Sequence, residues 1–129
     1  MNKQSYRTLT EEHFCHQLWQ NDLIMAEQEL TFFEHLLDQL NPIGLPNSPG
    51  ADYLDEILSN LHHFNRLIPV LKQDIQQTEK QLATDVKATD NVSAAQKKDH
   101  AYLRSEMDDF EQSYRQFKQT FRTLFTSNR

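Results

Sequence analysis

The segment WQNDLIMAEQELTFFEHLLDQL, residues 19–40, carries the clearest helical pattern in this chain. It contains no glycine or proline, and its apolar residues recur at alternating spacings of four and three positions. That pattern places one apolar stripe along an α-helix that packs against other helices at a shallow angle. The stripe consists of Trp19, Leu23, Ala26, Leu30, Phe33, Leu37 and Leu40. We therefore predict a long helix over about residues 8–41, beginning at a capping box formed by Thr8 and Glu11.

Two further segments carry the same pattern. Near the end of the chain the spacings of four and three recur at Leu103, Met107, Phe110, Tyr114, Phe117, Phe121 and Leu124. The middle segment is less regular, and its apolar positions are Leu54, Ile57, Leu61, Phe64, Ile68, Leu71, Ile75 and Leu82. These positions predict helices over about residues 49–88 and 93–126. Pro69 lies inside the second helix, where it removes a backbone donor, so we expect a kink there.

The breaks between these segments define the topology. Both glycines and three of the four prolines fall within residues 42–50, which predicts a loop. Ser93 and Gln96 repeat the capping-box spacing after a turn at Asp90 and Asn91. Short connections make successive helices antiparallel. The sequence thus predicts an all-α, up-down-up antiparallel three-helix bundle with long coiled-coil-like helices, forming a single domain over residues 1–129.

Composition limits the classes of function. A net charge of −6 argues against nucleic-acid binding, which needs a basic surface to displace counterions. The single cysteine, Cys15, allows no disulfide within the chain. No run approaches the roughly 20 apolar residues of a membrane span, and the first residues lack the apolar stretch of a signal peptide. The acidic flanks of the helices also disfavour adsorption to a membrane. We expect a cytoplasmic protein.

Several enzyme classes lack their motifs. With glycines only at positions 44 and 50, the chain has no phosphate loop and no dinucleotide fingerprint. Cys15 lies near His13 and His16, but neighbouring positions on a helix do not provide the oriented base that a thiolate nucleophile needs. Narrow bundles also offer little concave volume for a substrate. The sequence therefore favours a non-enzymatic protein with no catalytic residues and no cofactor.

A polar cluster is predicted at the end of the bundle away from residues 42–50. Extending the stripes to that end brings together Glu12 and His16 of the first helix, Glu79 of the second and His100 of the third. Facing helices build metal sites from such residues, so a divalent metal ion is the alternative function, with His13 as an additional or substitute ligand. The Glu-x-x-His spacing of dinuclear helical sites is missing from the sequence. A partly hydrated hydrogen-bond layer accounts for the same residues without a metal.

A second apolar stripe lies on the opposite face of the first helix, at Phe14, Leu18, Met25 and Phe32. A helix that is apolar on two faces is usually covered on both. The other two helices could splay and cover part of this stripe. An uncovered stripe would instead favour self-association or a helical partner. Our main functional hypothesis is protein–protein association, as a homodimer through the outer face of the first helix.

Three segments carry a resemblance to known sequences: LWQNDLIMAEQELTFFEHLL, LHHFNRLIPVLKQDI and DHAYLRSEMDDFEQSYRQFKQTF. They resemble an uncharacterised family of small three-helix bundle proteins from Bacteroidetes-type bacteria. The likeness covers most of the chain outside residues 42–50. Because that family has no assigned activity, the resemblance implies a helical-bundle fold and a bacterial cytosolic setting, and it implies no function.

Overall fold

The computed structural model describes residues 1–40 and 50–127, and these residues form three α-helices and no strand. Helix α1 spans Lys3–Leu40, α2 spans Gly50–Thr89 and α3 spans Ala94–Ser127. The all-α class and the three-helix bundle are therefore confirmed. The predicted end of the first helix at residue 41 and the predicted start of the second at residue 49 lie outside the described residues. So do residues 42–49 of the loop predicted over residues 42–50, and Gly50 is the first described residue of α2.

The core of the bundle follows the three predicted stripes. Every stripe residue of α3 from Leu103 to Leu124 is buried, and so are those of α2 from Ile57 to Leu82. Burying each such side chain stabilises the fold by roughly 1.5–3 kcal/mol. A run of aromatic rings fills the middle, and its contacting pairs are Phe64–Phe110, Phe64–Tyr114, Phe64–Phe117 and Phe117–Phe121. The periodicity thus identified the residues that hold the helices together.

The start of α1 differs from the sequence prediction. The helix begins at Lys3, and Asn2 caps it, because its Oδ1 accepts a hydrogen bond from the Ser5 backbone N–H at 2.8 Å. The Thr8 hydroxyl donates to the Gln4 carbonyl at 3.0 Å, which is a bond within the helix. The prediction of an N-cap at Thr8 was therefore wrong. Asparagine is as good an N-cap as threonine, and the earlier cap extends the helix by more than a turn.

The turn between α2 and α3 positions a buried amide. Asp90 adopts a left-handed conformation with φ of 54°, which aspartate tolerates better than most residues. The Ser93 hydroxyl accepts a hydrogen bond from the Gln96 backbone N–H at 3.1 Å, as the capping prediction requires. The Gln96 side chain does not complete the capping box, because the Ser93 N–H donates to Asp85 Oδ2 at 2.7 Å instead. The Gln96 amide is thereby free to turn inward, where it is buried.

Contacts between helices follow a regular order. Along α1 the residue numbers rise while those of their partners on α2 fall, in the pairs His16–Glu79, Glu27–Lys72 and Glu34–Asn65. Between α1 and α3 the numbers rise together, from His16–His100 to Glu29–Tyr114. Helix α2 continues through Pro69, and the kink there remains a prediction.

Candidate metal centre

The candidate site lies where the apolar stripes become polar. Continuing the α1 stripe back from Trp19 leads to His16 and Glu12, and continuing the α3 stripe back from Leu103 leads to His100. These are core positions, so the side chains are enclosed by the same packing that buries leucines elsewhere. Glu12, His16 and His100 are only 3, 2 and 9% exposed. Polar groups at such positions need hydrogen-bond partners, because burying one without a partner costs on the order of several kcal/mol.

The structure brings three of the predicted residues into one cluster. Nε2 of His16 lies 3.0 Å from Nδ1 of His100. The same Nδ1 lies 3.9 Å from Oε1 of Glu12. One donor atom from each of the three residues lies within 4.8 Å of the other two. Helices α1 and α3 therefore supply two imidazoles and one carboxylate to a single small volume.

Glu79 of α2 occupies a different position from the other three predicted residues. Its Oε2 contacts Nδ1 of His16, which is the ring nitrogen that does not face His100. Its Oε1 contacts Nδ1 of His13. The side chains of Glu79 and His13 are 33 and 52% exposed, so this pair forms the solvent-facing edge of the cluster. Glu79 thus orients His16 from outside, and His13 reaches the cluster only through Glu79.

Other side chains complete the surroundings of the three buried residues. Gln96 Nε2 donates to Glu12 Oε1 at 3.4 Å and to the Thr78 carbonyl at 3.4 Å. Arg104 Nη2 lies 3.4 Å from Nε2 of His100. The roles of Gln96 and Arg104 were not predicted from the sequence, although both residues lie four positions from His100 and therefore on its face of α3.

Aromatic packing fixes the orientation of the two histidine rings. Trp19 stacks on His100 with centroids 5.2 Å apart and an interplanar angle of 24°. The His16 ring lies 5.6 Å from Trp19 and 5.1 Å from His100, tilted against both. An imidazole held between other rings and two hydrogen bonds has little rotational freedom. The donor nitrogens are therefore held facing each other before any ligand binds.

Burial changes the proton affinities of the cluster. Desolvation by burial raises the pKa of Glu12, while the hydrogen bond from Gln96 and the charge of Lys97 act in the opposite direction. Burial, with the nearby His16 and Arg104, lowers the pKa of His100 to about 4. His100 is therefore a neutral imidazole at neutral pH, and only a neutral imidazole can bind a metal ion.

A groove of about 570 Å³ between α1 and α2 reaches the outer edge of the cluster. His13, His16 and Glu79 line one end of it, and Ile24 and Ile75 contribute apolar surface further along. Solvent therefore approaches the cluster from the side of Glu79. Among the described residues, every buried side-chain nitrogen or oxygen atom has a hydrogen-bond partner, so the cluster forms a complete network within the protein.

The second predicted surface, on the outer face of α1, is open. Phe14, Leu18, Met25 and Phe32 are between 46 and 59% exposed. Leu36, which lies beside this face, packs against the core instead. The alternative in which α2 and α3 splay to cover the stripe therefore does not describe these four side chains.

No family model, curated protein or solved structure matches the chain. The functional proposal below therefore rests on the geometry of the cluster. The resemblance to the Bacteroidetes-type helical family stays an expectation. In the described ranges, no helix has the length and apolar character needed to cross a bilayer.

Proposed function

We propose that this chain binds a divalent transition-metal ion through Glu12, His16 and His100. The observation that carries the proposal is the convergence of one donor atom from each of these buried residues within 4.8 Å. Bonds of about 2.0–2.2 Å around a tetrahedral Zn²⁺ place its ligand atoms roughly 3.3–3.6 Å apart. Two of the three separations in the cluster, 3.0 Å and 3.9 Å, bracket that range. Small side-chain adjustments would bring the three atoms onto one ion.

The surroundings of the three residues support the proposal. Metal-bound histidines usually donate their second ring N–H to a carboxylate, which fixes the ring and raises its basicity. Glu79 makes that contact with His16. Gln96 makes the corresponding contact with the carboxylate of Glu12.

Ligand chemistry selects the class of metal. Two imidazoles with one carboxylate suit Zn²⁺ and the neighbouring first-row ions better than Ca²⁺ or Mg²⁺, which prefer sites made of oxygen atoms. The three ligands are nearly inaccessible to solvent. The groove on the Glu79 side reaches His16, but His16 itself is almost completely buried, so a substrate would have little access to the ion and we propose metal binding without catalysis. The ion would join α1 to α3 and stabilise the bundle.

Calorimetric titration of Zn²⁺ into chelator-treated protein tests the proposal. We expect one ion per chain, and we expect the His16→Ala variant to bind none. His35→Ala is the matched control, because His35 is an exposed histidine on the same helix. If the cluster is instead a structural polar layer, wild-type protein will give no more binding heat than His16→Ala, and the proposal fails.

As a second candidate function, we propose self-association through the exposed stripe on α1. Four large apolar side chains on one helix face, each about half exposed, favour contact with a second copy or with a helical partner. Light scattering at tens of micromolar tests this proposal. A homodimer that becomes a monomer when Phe14 and Phe32 are both changed to Lys supports it, and a monomeric wild-type protein contradicts it.

We also propose that the helices run up, down and up as one domain of a cytoplasmic protein, with coiled-coil-like packing and a kink at Pro69. The order of contacts along α1 and α2 supports the antiparallel course, since rising positions on one meet falling positions on the other. Cysteines introduced at positions 20 and 72 should be joined by a short bifunctional thiol crosslinker, because the Gln20 side chain reaches the Lys72 carbonyl at 3.0 Å. Cysteines at positions 20 and 60 should not.

A further inference from the structure

We infer that a metal ion reaches the buried cluster through the groove between α1 and α2, where His13 and Glu79 bind it first. The inference rests on the metal site proposed above and names the route to that site. His13 acts during entry and release, and it is not a ligand of the ion once the ion is buried. The exposed histidine of the cluster is thereby given a role of its own.

The other sides of the cluster are closed by packed side chains. The ring of Trp19 stacks on His100 with centroids 5.2 Å apart. Between α2 and α3, the amide Nε2 of Gln96 lies 3.4 Å from Oε1 of Glu12. Leu82, on the last turns of α2, is buried as well. An ion arriving from any of these sides would have to displace part of the core.

The charges around the cluster also favour the groove. Lys97 is exposed, and its positive charge acts on the buried carboxylate of the cluster. Arg104 Nη2 lies 3.4 Å from Nε2 of His100. A divalent cation approaching along α3 therefore meets two positive charges. Lys80 is among the residues that line the groove, but the carboxylate of Glu79 lines it as well and offers the ion an anionic ligand.

Glu79 connects the groove to the cluster. Its Oε1 contacts Nδ1 of His13, which is about half exposed, and its Oε2 contacts Nδ1 of His16, which is buried. An imidazole nitrogen and a carboxylate oxygen are both ligands of Zn²⁺ and of the neighbouring first-row ions. The groove has a volume of about 570 Å³, which admits an ion together with its first shell of water. Glu79 and His13 can therefore bind an ion at the surface while the core stays in place.

Binding of an ion to Glu79 also loosens the entrance to the cluster. The ring of His16 separates the groove from the donor atoms inside, because its Nδ1 faces Glu79 and its Nε2 faces His100. An ion must pass this ring before Nε2 can bind it. A carboxylate that binds an ion shares its charge and lone pairs with that ion, so its contact with Nδ1 weakens and the ring is freer to turn. The same carboxylate thus captures the ion and releases the ring that blocks its way.

A residue on the route has a different kinetic signature from a ligand. Its removal raises the barrier between free and bound metal without changing either end state. The rate constants of binding and release must then fall by the same factor, and the dissociation constant stays unchanged. Removal of a ligand weakens the bound state, so release becomes faster and the dissociation constant rises. Rate constants and equilibrium affinity measured on one variant therefore separate the two roles.

Trp19 provides the signal for these measurements. It is the single tryptophan of the chain, and its ring stacks on His100. Its fluorescence should therefore change when His100 binds an ion. Stopped-flow mixing of chelator-treated protein with Zn²⁺ gives the rate constant of binding. Mixing the zinc-loaded protein with an excess of chelator gives the rate constant of release, and calorimetric titration gives the dissociation constant.

We expect His13→Ala to bind and release Zn²⁺ about tenfold more slowly than the wild type, with an unchanged dissociation constant, since charged clefts raise association rates by about that factor or more. His35→Ala is the matched control, because His35 is an exposed histidine on the same helix outside the groove, and it should keep the wild-type rates. Wild-type rates in His13→Ala would overturn the inference. Faster release with a raised dissociation constant would also overturn it, since His13 would then be a ligand of the buried ion.

A second pair of variants changes the groove without removing a donor atom. Gln17 lines the groove one turn from His13, so Gln17→Lys places a positive charge on the route. Gln28→Lys makes the same change in charge on α1 outside the groove. We expect Zn²⁺ to bind to Gln17→Lys several times more slowly than to Gln28→Lys. Equal binding rates for the two variants would contradict the route.

The same experiments distinguish failure of the route from failure of the site. A wild-type protein that binds no Zn²⁺ in the calorimetric titration would refute the proposed metal function and this inference with it. A wild-type protein that binds Zn²⁺, with unchanged rates in His13→Ala and Gln17→Lys, would refute the route alone and leave the site in place.

Discussion

The two ends of the same helical seam use opposite chemistry. In the middle and towards the end of α3, the seam is a run of leucines and aromatic rings such as Phe64 and Phe117, which need no partner other than each other. At the start of α1 and α3, the same seam positions hold Glu12, His16 and His100. Burial alone stabilises the apolar part of the seam. The polar part loses its contacts with water on burial and must replace them with hydrogen bonds inside the protein. Periodicity therefore explains the fold, and the polar end needs a separate explanation.

The largest effect should come from the apolar part of the seam. Phe64 is buried and contacts three other aromatic rings, so Phe64→Ala should lower the free energy of unfolding by about 3–5 kcal/mol. Urea denaturation followed by circular dichroism measures the change. Phe32→Ala is the control, because Phe32 is 59% exposed and its truncation should cost much less. Similar losses for the two variants would refute the assignment of the core.

At the polar end, stability should depend on pH through His100. The pKa of His100 falls from the ordinary 6.5 to about 4 on folding, so the unfolded chain binds this proton more readily than the folded protein does. The free energy of unfolding is therefore highest above about pH 6.5, where His100 is neutral in both states, and it decreases as the pH falls towards 4. The decrease amounts to roughly 2–3 kcal/mol. The raised pKa of Glu12 acts with the opposite sign, since its protonation relieves a cost of burial.

Denaturation at pH 7 and at pH 4.5 measures this dependence. His100→Gln should lose most of it, because the substituted side chain does not titrate. His35→Gln should keep it, because His35 is exposed. If His100→Gln loses as much stability between the two pH values as the wild type does, another group controls the acid sensitivity.

A smaller effect should come from the residue that orients the site. Glu79→Gln leaves one carbonyl oxygen to serve the N–H groups of both His13 and His16, so one of them loses its acceptor. We expect Zn²⁺ affinity to fall by about 10–100-fold, as for other outer contacts of metal-bound histidines. Glu27→Gln is the matched control at the same α1–α2 boundary, where Glu27 pairs with Lys72 at 2.9 Å. Equal effects of the two variants would mean that Glu79 acts only through its charge.

The smallest effect on folding should come from the outer face of α1. Changing Phe14 and Phe32 to Lys should alter the stability of the isolated chain by no more than about 0.5 kcal/mol per site, since both side chains are exposed. The same change should dissociate a homodimer. Analytical ultracentrifugation and thermal melting on one sample separate the two readouts. A large loss of stability without a change in mass would show that the stripe belongs to the core.

The sequence predicted the parts of the molecule that depend on periodicity. Glu12, His16 and His100 occupy seam positions, so their convergence follows from the helical repeat and an assumed alignment of the helices. The position of Glu79 does not follow, because alignment from sequence is accurate only to about a turn, and the neighbouring Thr78 holds the buried position. The contact of Arg104 depends on the rotamer of a long side chain, which no spacing determines. The start of α1 was missed because two residues, Asn2 and Thr8, are both good caps.

X-ray absorption at the zinc K-edge of protein loaded with one equivalent of Zn²⁺ identifies the ligands of the proposed metal site. Glu12, His16 and His100 should give a first shell of nitrogen and oxygen atoms at about 2.0–2.1 Å, with the multiple scattering of two imidazoles. Cys15 should contribute no sulfur at about 2.3 Å. A sulfur shell, a first shell without imidazole, or a protein that retains no zinc after gel filtration would contradict the account.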